Sequence, residues 1–173
     1  MNDPQKLGAL PEWNLDDLYP GPDSAELKAD LERGARDGAA FTETWKGKLA
    51  DAAGNGTLVE AVKGYEALSD LLGRIGSYAS LYYVGDTTDP RRGKFYGDVQ
   101  QKLTDISTGL LFFELELNRL DDATIERALE NPALARYRPW FTDLRKEKPH
   151  QLDDRLCARP AAAADVVVLG EQV

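Results

Sequence analysis

One apolar seam limits what this chain can fold into more than any other feature. Tyr96, Val99, Leu103, Ile106, Leu110, Phe113 and Leu117 follow one another at alternating steps of three and four residues. That spacing keeps the apolar side chains on one face of a helix, whereas a strand would scatter them over both of its faces. The helix it predicts is a heptad-like stretch of about six turns, roughly 30–45 Å long at 1.5 Å per residue. Asp89 is its N-cap, and Pro90 takes the first helical position, where a missing N–H leaves no bond unmade. A second seam precedes it through Leu58, Val62, Tyr65, Leu68, Leu72, Ile75, Ala79 and Tyr82, with Thr57 and Glu60 placed to form a capping box. Gly85-Asp86-Thr87-Thr88-Asp89-Pro90 separates the two seams. Long helices joined by so short a turn must lie antiparallel. The expected fold is therefore all-α: a helical bundle built on a long antiparallel αα-hairpin, about residues 57–86 and 90–118, with shorter flanking helices.

The flanks are read from breakers and caps. Residues 1–22 form an extended, turn-rich arm, because Pro4, Pro11, Pro20 and Pro22 each remove a backbone donor. Trp13, Leu15, Leu18 and Tyr19 are apolar enough to pin that arm to a helical body. A first helix starts at Asp23 or Ser24 and runs to about residue 45 on Leu27, Leu31, Ala35, Phe41 and Trp45, with Gly34 and Gly38 weakening it. Residues 50–56 (Ala-Asp-Ala-Ala-Gly-Asn-Gly) read as a loop. Asp121 or Asp122 caps a short helix over 123–130, which Asn131-Pro132 stops. A further helix covers 133 to about 148, with Leu134, Tyr137, Phe141 and Leu144 on one face. Pro149 ends it, and Leu152-Asp153-Asp154 looks like the start of another. Residues 23–154 are thus one helical domain. From Arg155 the charge-laced helical pattern gives way to an Ala/Val-rich stretch, so residues 155–173 are expected to be an atypical, disordered or non-native tail.

Charge and cysteine content exclude several classes of function. The 173 residues carry a net charge of −9. No Lys/Arg patch stands clear of neighbouring acids, so nucleic acid and anionic membranes are not expected partners. The single cysteine, Cys157, rules out an internal disulfide and favours a reducing compartment. No apolar run approaches the roughly 18 residues that a membrane span needs, and the N-terminal stretch lacks the apolar core of a signal peptide. A cytoplasmic protein is the expectation.

A search for chemistry returns mostly negatives. With one histidine, His150, the chain cannot supply an HExxH zinc helix or a histidine cluster. His150 and Cys157 make a poor base and nucleophile, since they lie seven residues apart across a predicted helix start. Glu114 and Glu116 point to different sides of their helix. Gly73, Gly76, Ser77 and Ser80 fit no phosphate-binding loop and read as small residues that let another helix approach. No catalytic residue and no metal ligand is therefore assigned. Tyr78, Tyr82 and Tyr83, near the hairpin turn, form an aromatic cluster that either packs between helices or lines a groove.

The phrase Pro11-Glu12-Trp13-Asn14-Leu15-Asp16-Asp17-Leu18-Tyr19-Pro20 resembles the opening of oligoendopeptidase F, a zinc metallopeptidase of the thimet-oligopeptidase group. The likeness continues in Tyr78-Ala79-Ser80-Leu81-Tyr82-Tyr83, Asp98-Val99-Gln100-Gln101-Lys102-Leu103, Arg136-Tyr137-Arg138-Pro139-Trp140-Phe141 and Lys148-Pro149-His150-Gln151-Leu152. It spans roughly residues 10–154. In that family this region is the N-terminal helical lobe, one wall of a deep channel for short peptides, and the zinc site lies in the C-terminal lobe. The resemblance implies a lobe that binds no zinc itself, whose partners are short peptides and the missing catalytic lobe, and whose Tyr78, Tyr82 and Tyr83 are candidates for lining the channel. It also implies that the sequence is truncated or frameshifted near residue 155. A free-standing helical module that binds a peptide or another protein is the alternative reading.

Overall fold

In a computed structural model, residues 13–148 are described. They hold seven α-helices and no strand: α1 Ala25–Trp45, α2 Leu49–Asn55, α3 Leu58–Gly85, α4 Pro90–Arg119, α5 Asp122–Ala128, α6 Pro132–Ala135 and α7 Arg138–Lys146. The expected N-terminal residues 1–12, the start of a helix at residue 152, His150, Cys157 and the tail over 155–173 lie outside the described residues.

The hairpin of α3 and α4 forms as the two seams require. At 1.5 Å per residue the helices are about 42 and 45 Å long. The turn between them is closed by side chains. Asp86 Oδ1 accepts from the backbone N–H and the hydroxyl of Thr88 (3.0 and 2.7 Å), and Asp89 Oδ1 accepts from Arg91 N–H (2.8 Å) as the N-cap of α4. These bonds favour the carboxylate form, and both aspartates titrate below the usual range. Val99, Leu110, Phe113 and Leu117 of the α4 seam are buried, while Tyr96, Leu103 and Ile106 are half-buried against the same core.

Helix α1 completes a three-helix core, lying against both arms of the hairpin. Its contacts with α4 advance in step: Gly38 meets Ile106, Thr42 meets Gly109, and Gly47 N–H donates to the Glu116 carboxylate (2.8 Å). Helices α1 and α4 are therefore parallel, and both run antiparallel to α3. The close approach depends on two glycines. A Cβ at Gly34 would lie 3.1 Å from Leu72 Cδ2, and one at Gly38 would lie 3.1 Å from Ile106 Cγ2. Both glycines are buried, whereas Ala35, expected on the apolar face, is exposed. The sequence marks these glycines as weaknesses, but here the lost helix propensity is the condition for packing. Gly38→Leu is expected to push α1 off Ile106 and destabilise the fold by about 1–3 kcal/mol or more, read as a lower urea midpoint. An unchanged midpoint would show that the seam is slack.

Several expectations for the flanks need correction. Residues 50–56 are not a loop: they are mostly α2, whose Leu49 and Ala52 sit on one face and are fully buried. Two glycines hid it, yet Gly54 is tolerated on the exposed side and Gly56 (φ +86°) ends the helix in the left-handed region open to glycine. The Thr57–Glu60 capping box does not form, because the Thr57 hydroxyl donates to Asn55 Oδ1 (2.7 Å) in the tight α2–α3 link. The expected helix over 133–148 is two helices, α6 and α7. Pro139 has no N–H for the carbonyl of residue 135, so the chain breaks after α6 and restarts with Pro139 in the first turn of α7. Of the small residues on α3, Gly76 admits Leu103 (3.3 Å from an added Cβ), but Gly73 faces open space. In the N-terminal arm Leu15, Leu18 and Tyr19 pack on the bundle, while Trp13 is 64% exposed.

The apolar interior falls into two clusters. One surrounds Phe41, Phe113 and Phe141, where α2, α5, α6 and α7 cover the open end of the three-helix core. The other, around Tyr19, Ile75 and Tyr78, lies toward the hairpin turn. Arg145 of α7 ties the first cluster shut by donating to the Leu117 and Leu120 carbonyls (3.2 and 2.8 Å) and to Asp122. The Leu117 carbonyl also accepts from the Leu120 N–H (3.3 Å) at the end of α4, and the Leu120 carbonyl belongs to the C-cap residue itself.

Candidate functional site

The three tyrosines singled out near the hairpin turn do not form one surface. Tyr78 is 2% exposed and packs edge-on to Tyr19 (5.3 Å between ring centroids) and Phe95 (6.2 Å). Burial and the nearby Tyr82 and Asp16 push its phenol above the usual range. Tyr82 stacks on Tyr78 (6.0 Å) and carries the Arg92 guanidinium 4.6 Å above its ring. Arg92 is fixed there by donating to the Tyr82 carbonyl (2.9 Å). Tyr83 is on another side of α3, stacked nearly parallel on Tyr96 at 5.2 Å. The structure thus brings Tyr78 and Tyr82 together and sets Tyr83 apart. Tyr82 and Tyr83 keep part of their surface, and Tyr78 stands behind Tyr82 as a packed support.

A second aromatic site was not foreseen. A cleft of about 280 Å³ opens between α3 and α7, walled by Val62, Tyr65, Tyr137 and Trp140 and edged by Glu66, Ser69 and Asp70. Tyr65 is stacked on Phe113 at 4.5 Å and lies 6.2 Å from Trp140. Its hydroxyl donates to Glu114 Oε1 (3.0 Å), and burial together with that carboxylate drives its phenol far above the normal range. The Tyr137 hydroxyl donates to Glu66 Oε2 (2.6 Å). Arg136 donates to the same carboxylate (2.6 and 2.9 Å), with its guanidinium 4.5 Å above the Tyr137 ring. Tyr65 belongs to the predicted seam, but its aromatic cleft partners, Tyr137 and Trp140, are more than 70 residues away in sequence. The kink at Pro139 is what turns Trp140 toward α3.

Glu114 and Glu116 engage different elements, α3 and the α1–α2 link. Among the described residues no group of three or more His, Cys, Asp or Glu side chains could hold a metal ion. No helix among the described residues is long and apolar enough to cross a membrane. What the geometry offers is rigid aromatic surface with fixed carboxylates.

The family model for oligopeptidase F matches residues 116–156. Oligopeptidase PepF of Bacillus subtilis (strain 168) aligns with the chain at 25% identity over 174 residues, which is 96% of this chain. The chain resembles the N-terminal region of oligopeptidase F. It spans 24% of the length of the Bacillus protein. No solved structure matches the chain. The stretch matched by the oligopeptidase F model runs from the end of α4 through α7, so it contains Tyr137 and Trp140, one wall of the second cleft.

Proposed function

We propose that this chain is the N-terminal helical lobe of a zinc-dependent oligopeptidase acting on short peptides in the cytoplasm. The observation that carries this reading is the alignment with Oligopeptidase PepF, which runs along 96% of this chain but takes in 24% of that protein. In this reading the zinc ion, which would polarise the scissile carbonyl and activate a water, is held by residues outside this chain. The chain's own contribution is shape. The α3–α4 hairpin is a stiff wall, and Tyr82, with Tyr78 buttressing it, lines the peptide channel from that wall, while Tyr83 stands on another side of α3 with Tyr96. Its partners are the catalytic lobe and the peptide held between the two lobes.

Alone, the chain is expected to hydrolyse nothing, because it offers neither an activated water nor an electrophile. The test is cleavage of an internally quenched short peptide with added zinc. Turnover that survives repurification and disappears with a chelator would overturn the reading. A lobe made to dock on a larger partner is also expected to bind a hydrophobic dye through its uncovered face. A monodisperse, dye-silent particle would favour the free-standing binding module instead.

A further inference from the structure

We infer that the cleft between α3 and α7 binds a cationic group carried on an alkyl stem, the ammonium or guanidinium of a peptide. The walls and the rim differ in chemistry, and together they select such a group. Tyr65, Tyr137 and Trp140 line the cleft with aromatic rings, whose quadrupole attracts a cation, and Val62 adds apolar floor for an alkyl chain. Backbone N–H groups of α3 at this depth are committed to the helix, so the rim has no main-chain donors for an anion. Its charged groups are the Glu66 and Asp70 carboxylates, one helical turn apart.

Arg136 shows that this surface accepts a planar cation. Its guanidinium lies 4.5 Å above the Tyr137 ring while bonded to Glu66, so Glu66 is already neutralised. Asp70 is not. Arg74, four residues further along α3, is turned away to Asp30 (2.7 Å), and among the described residues no cation pairs with Asp70. The cleft therefore keeps one free carboxylate beside Tyr65 and Trp140. A cavity of about 280 Å³ admits a single side chain or chain end, not a folded surface. The net charge of −9 adds a long-range pull on cations.

The choice of a peptide as carrier rests on the oligopeptidase reading, but the cation preference does not, and the test separates them. The 173-residue chain is titrated with three probes: acetyl-Ala-Arg-Ala-amide, Ala-Ala-Ala-amide with a free amine, and the neutral acetyl-Ala-norleucine-Ala-amide. The indole N–H resonance of Trp140 is the readout, and those of Trp13 and Trp45 are internal controls. A saturable shift confined to Trp140 is expected with a cationic probe, and the first two probes tell a side chain from a chain end. Asp70→Asn, a change at an exposed position without a partner, is expected to weaken that binding about threefold or more with the helical spectrum unchanged. An equal response to the norleucine peptide, no Trp140 shift with either cation, or an unchanged affinity in Asp70→Asn would overturn the inference. None of these results bears on whether the chain is inactive as a peptidase, which the hydrolysis assay decides.

Discussion

Phe113→Ala is expected to lower the unfolding free energy by about 3–5 kcal/mol, the range for deleting a fully buried aromatic ring. Phe113 is fully buried and is the hub of the larger cluster. Its ring stacks on Tyr65 at 4.5 Å, meets Phe41 edge-on at 5.3 Å, and lies 6.3 Å from Trp140. Three separate helices thus each lose a contact to α4 at once, and none can close the gap without leaving its other partners. At this chain length the loss corresponds to about 10 °C in Tm, which calorimetry or far-ultraviolet dichroism reads directly. The α3–α7 cleft should suffer too, because Phe113 is the floor under Tyr65. A destabilisation under about 1 kcal/mol would mean that α7 is not packed on α4 as described.

Tyr19→Ala is expected to cost about 3 kcal/mol and to free the arm from the bundle. Tyr19 is buried edge-on against Tyr78, its hydroxyl donates to Asp30 Oδ2 (2.8 Å), and Arg74 Nε donates to that hydroxyl (3.0 Å). The Arg74 guanidinium also lies 4.5 Å above the ring, and Asp30 holds Arg33 as well (2.9 Å). Ring and hydroxyl can be separated by experiment. Tyr19→Phe keeps the packing, loses the hydrogen bonds and should cost only about 1 kcal/mol. Limited proteolysis supplies the second readout: cleavage within residues 13–22 should accelerate strongly in Tyr19→Ala and little in Tyr19→Phe. Equal effects of the two substitutions would place the anchoring in the polar network rather than in the ring.

Both predictions depend on residues whose partners are far away in sequence, and that is where sequence reading ran short. Phe113 was placed on the right face of the right helix. Nothing local, however, indicates that it meets Phe41 and Trp140. Tyr65 and Trp140 could not be paired in advance, because the kink that aims Trp140 sits in a segment whose apolar spacing also suits one continuous helix. Tyr78, Tyr82 and Tyr83 were visible as a cluster, but sequence proximity grouped residues that a helix distributes over two sides. Gly34 and Gly38 gave the opposite impression from their role, since helix propensity is a local quantity and interhelix distance is not.

The sequence by itself determined the helical class, the α3–α4 hairpin, the Asp89-Pro90 start of α4 and the likeness to oligopeptidase F. These are properties of a residue and its neighbours within a few turns: periodicity, caps, breakers and contiguous phrases. Tertiary structure alone decided how closely α1 approaches the hairpin, that a short helix forms over Leu49–Asn55, and that Tyr65, Tyr137 and Trp140 share a cleft beside an unpaired Asp70. Each of these is fixed by packing between segments tens of residues apart. Steric fit and desolvation at such contacts override local preference, and neither can be evaluated until the segments have been brought together.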